Sequence, residues 1–331
     1  MVFHPAILAL YLSSILVCFM ALSSARHGIQ ILRRWDPRSG SELQLLLERR
    51  TYLVSTLLAY AFAFQLGSLF LFIYTAEHLH SLFVGAMCAA GSLYVNPFGY
   101  PTLVLKVINF LGAGLWIILN DADNRGYDYP LIKKKYLLLV LITPFILLEG
   151  FLQGSYFFLL RPDVITSCCG SLFSPTAESV TSEVVALPGI LMTVVFYLWA
   201  ASTFAAGLFF YFRGRGGYLF AALQGIFFLV AVTSILSFIS LYVYELPSHH
   251  CPFCLLQREY GYVGYPLYVA LLGSTMTGMG AGLLMRFRKV DSLKELLPHL
   301  QKRLTLVSMA LILLFVAIVT YQVISSNLIL E

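Results

Sequence analysis

The chain is expected to be an all-α, polytopic membrane protein of about eight transmembrane helices, and three observations predict it. Of its 331 residues, 59% are hydrophobic and only 11% charged, with a mean hydropathy of +0.83. A soluble domain carries roughly 25% charged residues, so this chain lacks the polar surface that water requires. Apolar runs long enough to span recur along the whole sequence, and the basic residues between them fall in every second connection. The formal +5 charge therefore forms no patch, and no nucleic-acid partner is expected. Met1-Val2-Phe3-His4-Pro5 lacks the basic start of a cleaved secretory signal, so the first apolar run is expected to be retained.

A helix needs about 20 apolar residues to span a bilayer. The stretches that meet this are Pro5–Ala25, Tyr52–Thr75, Thr102–Asn120, Tyr136–Leu160, Pro188–Phe212, Leu219–Tyr244, Pro266–Met285 and Leu304–Ile324. The connections after the first, third, fifth and seventh hold 18 of the 21 Lys and Arg residues, running from Arg26 to Arg50, Arg125 to Lys135, Arg213 to Arg215 and Arg286 to Arg303. The positive-inside rule puts those four connections in the cytoplasm and both termini on the non-cytoplasmic side of a cell (inner) membrane. The segment Gln30–Arg50 is expected to lie on the cytoplasmic surface, its arginines facing anionic lipid. Lys106 and Glu149 fall inside spans, where ionisable groups are costly and usually paired. An interhelical ion pair is expected of them, serving either structure or proton movement.

Two segments look alike. Glu77-His78-Leu79-His80, then Cys88, precede Gly99-Tyr100-Pro101; His249-His250-Cys251-Pro252-Phe253-Cys254 precede Gly264-Tyr265-Pro266. The tripeptides lie 165 residues apart (264 − 99), about half the chain. This predicts a parallel tandem duplication of a four-helix unit, residues 1–165 and 166–331, the second carrying the CxxC. Gly-Tyr-Pro alone would also suit any entry into a helix. Ser81–Val95 is apolar but too short to cross, so a re-entrant or interfacial piece is expected there.

Cys18 lies in the first span and reads as a packing residue, whereas Cys88, Cys168, Cys169, Cys251 and Cys254 fall outside the spans or at their boundary, all on the non-cytoplasmic side. Disulfide chemistry is permitted there, and an odd count cannot be fully paired within one chain. Cys251 and Cys254 form a CxxC where the seventh span begins; a helix N-terminus lowers a thiol pKa. His249 and His250 stand beside it as cations or proton acceptors. CxxC alone serves redox, zinc and haem sites, and c-type haem is excluded because no His follows Cys254.

The longer string Cys251-Pro252-Phe253-Cys254-Leu255-Leu256-Gln257-Arg258 resembles the CxxCxxxR signature of the DsbB quinone-linked thiol oxidoreductases. The order of elements is similar to the vitamin K epoxide reductase relatives of that family, with shuttle cysteines in an external loop, two spans, then the CxxC. The matching string covers eight residues; the shuttle positions here, Cys168 and Cys169, are adjacent rather than separated, and the chain has twice the usual number of spans. The resemblance implies a membrane thiol-disulfide oxidoreductase that passes electrons from an external thiol protein through Cys168 and Cys169 to Cys251 and Cys254, then to ubiquinone or menaquinone. It implies Arg258 as the quinone's electrostatic partner; His250 and the tyrosines after Arg258, Tyr262 among them, are candidates to line the quinone pocket. Two other readings stand beside it. One is soft-metal (Cu/Zn-type) binding or transport, in which His78, His80, Cys88, His249, His250, Cys251 and Cys254 converge, though His78 and His80 also suit a wet helix end. The other is a structural subunit of a membrane redox complex, partnered by its other subunits.

Overall fold

The structure is a computed structural model that describes residues 4–36, 39, 41–161, 164–166 and 188–328. Eight helices long and apolar enough to cross a membrane are present among these residues, and no strand is. They are α1 (Pro5–Arg34), α2 (Glu42–Leu79), α4 (Gly99–Arg125), α5 (Ile132–Phe158), α6 (Gly189–Arg213), α7 (Gly217–Tyr244), α8 (Gly264–Leu283) and α9 (Leu296–Ser325); the short α3 (Ala89–Tyr94) lies between α2 and α4. Large apolar side chains cover their outer faces, Leu12 at 72% exposure and Phe19 at 67% among them. Such surface is untenable in water and is what lipid contacts. The chain is a multi-pass membrane protein.

Several helices outrun their apolar cores. α1 continues to Arg34, with Arg33 and Arg34 in its last turn, and α2 begins at Glu42. The stretch Gln30–Arg50 is therefore mostly two helix ends rather than a strip lying flat on a surface. Its Arg, Glu, Leu and Gln residues are good helix formers, and cations suit a helix C-terminus. Both Gly-Tyr-Pro tripeptides form the first turn of a helix, α4 and α8.

The chain divides into two compact units. The first comprises residues 1–75, 96–160 and 287–298; the second comprises 76–95, 161–286 and 299–331. The cut differs from 1–165/166–331 in one consequential way: the stretch carrying Cys88 belongs with the second unit. In the first unit Trp116 packs edge-on against Phe62 at 5.1 Å and donates from Nε1 to the Lys135 carbonyl at 3.0 Å. Two buried ion pairs tie its helices, Lys106–Glu149 at 2.8 Å and Lys135–Asp123 at 2.7 Å. The Glu149 carboxylate also accepts from Gln65 Nε2 at 2.5 Å and Asn109 Nδ2 at 2.6 Å, while Lys106 Nζ donates to Ser68 Oγ at 2.6 Å. These bonds tie α2, α4 and α5 together. Cys18 packs in the same unit, its Sγ 3.6 Å from the Ile146 carbonyl.

The second unit is built around phenylalanines, with Phe196 in ring contact with Phe227, Phe238 and Phe315. α7 and α8 approach closely at Gly282, where an added Cβ would lie 2.2 Å from the Ala221 Cβ. Small residues permit this kind of close helix contact in membranes. α7 contains a π-helical turn, Ile235–Ile239, which breaks the regular hydrogen-bond ladder and marks functional sites in many helices.

Candidate metal-binding site

Two connections of the second unit build the site, the one that follows α2 and the one between α7 and α8. In the first, a 3-10 turn (His80–Leu82) leads to Gly85, whose φ of +89° only glycine adopts easily. An added Cβ there would sit 2.4 Å from the Thr166 carbonyl oxygen, so the chain passes through a gap that only glycine fits. Thr166 pins this stretch further by donating its N–H to the Val84 carbonyl at 3.0 Å and its hydroxyl to Gly91 O at 2.9 Å. Cys88 stands immediately before α3, fully buried together with Ala89, Ala90, Gly91, Ser92 and Leu93. The segment expected to be re-entrant thus ends in a six-residue helix, buried from Ala89 to Leu93 and exposed at Tyr94.

In the second connection, Cys254–Leu256 and Arg258–Tyr260 form successive 3-10 turns, ended by Gly261 at φ +64° and Tyr262 at φ +57°. The CxxC therefore does not sit on the first turn of the following helix, which begins only at Gly264. Hydrogen bonds from tyrosines hold its backbone. Tyr244 Oη donates to the Cys251 carbonyl at 2.6 Å, and Tyr268 Oη donates to the Pro252 carbonyl at 2.5 Å. The Tyr244 ring also packs edge-on against His249 at 4.6 Å and Tyr260 at 4.5 Å.

The result is a buried cluster of three thiols. The sulfurs of Cys88, Cys251 and Cys254 all lie within 4.8 Å of one another, and those of Cys88 and Cys251 are 3.5 Å apart. Exposure is 0% for Cys88 and Cys251 and 4% for Cys254. His249 adds a nitrogen, with Nε2 3.4 Å from Cys254 Sγ. Burial holds the His249 and His250 imidazoles below the ordinary histidine range, so both are neutral at pH 7. A tetrahedral zinc site has Zn–S near 2.3 Å and Zn–N near 2.0–2.1 Å, which places its donor atoms roughly 3.5–3.8 Å apart. The observed separations approach that spacing.

Not every residue singled out from the sequence joins the cluster. Of the seven proposed soft-metal donors, Cys88, Cys251 and Cys254 converge, and His249 approaches Cys254. His78 is exposed, His80 turns its Nδ1 to the Glu77 carbonyl oxygen, and His250 directs Nδ1 to the Leu236 carbonyl, 2.8 Å away within the π-turn. Arg258 and Tyr262 are exposed rather than enclosed with the thiols, and Tyr260 packs on Tyr244. Cys168 and Cys169 lie outside the described residues.

Residues the sequence did not single out complete the surroundings. Tyr244 reads there as a tyrosine of the membrane interface, and Gln257 as filler inside CxxCxxxR. Glu77 stood in the repeated string without a role. Compared with protein-family models, curated proteins and solved structures, the chain matches none. The chemistry of the site therefore rests on its own geometry.

Proposed function

We propose that this membrane protein binds a thiophilic metal ion of the Zn(II) or Cu(I) type through Cys88, Cys251 and Cys254, with His249 as a fourth donor. One observation carries the reading: three buried cysteines, one of them 163 residues away in sequence, gather their sulfurs within 4.8 Å of one another, with an imidazole nitrogen 3.4 Å from one of them. Cysteine sulfur and histidine nitrogen are the usual donors of structural zinc. Thiolate and imidazole also suit Cu(I). On the Lys/Arg distribution, the site lies at the non-cytoplasmic ends of α2, α7 and α8. Binding would release the thiol protons, and an already neutral His249 offers its lone pair without that step.

Titration of the detergent-solubilised, reduced protein with Zn(II), Cd(II) or Ag(I) tests this. The expected result is one ion per chain and protection of all three thiols from alkylation. Structural zinc is worth about 10–16 kcal/mol over four ligands, so Cys88→Ser, Cys251→Ser and Cys254→Ser should each weaken binding by roughly 10²–10³-fold. Thiols that alkylate equally fast with and without metal would refute it.

The 3.5 Å contact between Cys88 and Cys251 favours one second reading, thiol-disulfide exchange with membrane quinone. Two thiols would lose two electrons and two protons to a quinone, forming a disulfide and a hydroquinone, with Arg258 near the quinone oxygen. Electrons would reach them from an external thiol protein through Cys168 and Cys169. Quinone reduction by the thiol-reduced protein, abolished in Cys251→Ser and Cys254→Ser, would establish that reading in place of the first.

A further inference from the structure

Cys88 arrives at the cluster from far away in sequence, 163 residues before Cys251. The peptides on both sides of it are gripped. The Ala89 N–H donates to Glu77 Oε2 at 2.6 Å, and the Met87 carbonyl accepts from Gln257 Nε2 at 2.8 Å. Gln257 Nε2 also donates to Glu77 Oε1 at 2.7 Å, which closes the two grips into one clamp. Glu77 is 7% exposed, in the last turn of α2. Gln257 follows Cys254 by three residues, and its backbone N–H donates to the Cys254 carbonyl at 3.0 Å. An unbroken chain of hydrogen bonds therefore runs from the peptide of Cys254 to both peptides flanking Cys88.

We infer that Glu77 and Gln257 are the positioning residues that keep Cys88 in the donor set, an inference that rests on the metal-binding reading of the three thiols. The bonds of Glu77 and Gln257 fix where the Cys88 backbone lies, and through it the distance from its Sγ to the Cys251 Sγ. Groups that orient ligands in this way typically alter metal affinity about 10–100-fold when removed. The change Glu77→Gln keeps one carbonyl oxygen where two oxygens each accept a bond, so it can hold only one of the two grips. Glu77→Ala and Gln257→Ala remove the clamp.

The test is alkylation by N-ethylmaleimide mapped to each cysteine, with and without Cd(II), alongside the thiolate-to-cadmium charge-transfer band. In the unaltered chain Cd(II) should protect all three thiols. In Glu77→Ala and Gln257→Ala, Cys88 alone should become reactive in the loaded protein while Cys251 and Cys254 stay protected, with the band reduced by about one third as thiolate ligation falls from three to two. Glu77→Gln, which keeps one grip, should label Cys88 faster than the unaltered chain and slower than Glu77→Ala. A general loss of structure would expose the three thiols together, and that outcome overturns the inference, as does a Cys88 that remains protected in both alanine variants. The metal-free protein separates this inference from the reading beneath it. If Cd(II) protects nothing in the unaltered chain, the metal reading fails; faster Cys88 labelling in metal-free Gln257→Ala would still support the clamp, and unchanged labelling would refute it.

Discussion

Replacing Glu149 by Gln offers a direct measure of what holds the first unit together. The carboxylate accepts from Lys106 Nζ on one oxygen and from the Gln65 and Asn109 amides on the other. Lys106 is 1% exposed and Glu149 3%. An amide at position 149 keeps one acceptor and turns an N–H₂ toward either an ammonium or two other amide donors. With the N–H₂ toward Lys106, the buried charge keeps Ser68 Oγ and the Phe72 ring, 5.3 Å away, as favourable neighbours; with the oxygen toward it, the Gln65 and Asn109 amides lose an acceptor instead. Removing one partner of a buried pair typically costs about 3–5 kcal/mol. At roughly 2–4 °C per kcal/mol for a body of 150–250 residues, melting should fall by about 6–20 °C. Lys106→Met with Glu149→Leu removes both charges and leaves the Gln65 amide and the Ser68 hydroxyl without these partners, at a cost of about 1–3 kcal/mol for each such group. Measured beside Lys106→Met and Glu149→Leu alone, the double variant should cost less than the two single penalties together. Thermal unfolding of the detergent-solubilised single and double variants reads this out. If Glu149→Gln melts within a degree or two of the parent, or if the two single penalties simply add, the ion pair is not holding these helices.

Two further outcomes follow from the second unit. Burial holds the His249 and His250 imidazoles below the ordinary histidine range, so the folded protein resists taking up protons that the unfolded chain accepts freely. Their contribution to stability is fully present above about pH 6.5 and is lost as pH falls through the ordinary value toward the lower folded one. Melting temperature should therefore drop between pH 7.5 and pH 5, and the drop should shrink in His249→Gln and His250→Gln; an unchanged slope in both would count against it. At the α7–α8 contact, Gly282→Val places a Cβ 2.2 Å from the Ala221 Cβ and 2.9 Å from the Gly217 carbonyl oxygen. Overpacking of this kind costs about 1–3 kcal/mol, visible as a lower melting temperature, whereas Gly225→Val, with nothing within 4 Å of its Cβ, should be milder.

Much of the fold is legible along the chain because its causes are local. An apolar run long enough to cross a bilayer must satisfy its backbone hydrogen bonds internally, so composition alone dictates helix, and each of the eight expected spans lies within or largely overlaps a long helix. The Lys106–Glu149 pair was foreseeable for a similar reason: two opposite charges stranded in apolar helices have few partners but each other. Helix ends were less legible. The arginines that close α1 read as loop by polarity, yet they extend the helix because nothing in them opposes it.

The site divides along the same line. CxxC and its histidine neighbours are visible in sequence, and so is the likeness of the Cys88 segment to them. That Cys88 lies beside Cys251, that His249 and not His250 approaches the thiols, and that Glu77 meets Gln257 are outcomes of packing. Adjacent residues in an irregular loop point in directions set by a few backbone dihedrals, and those depend on Gly85, Thr166, Tyr244 and Tyr268 holding the two connections in place. The sequence by itself determined which segments are membrane helices and which connections carry the basic residues, since hydrophobic length and charge are properties of short stretches. Only the tertiary structure decided which sulfurs meet, because contact across 163 residues is fixed by helix packing that no local pattern encodes.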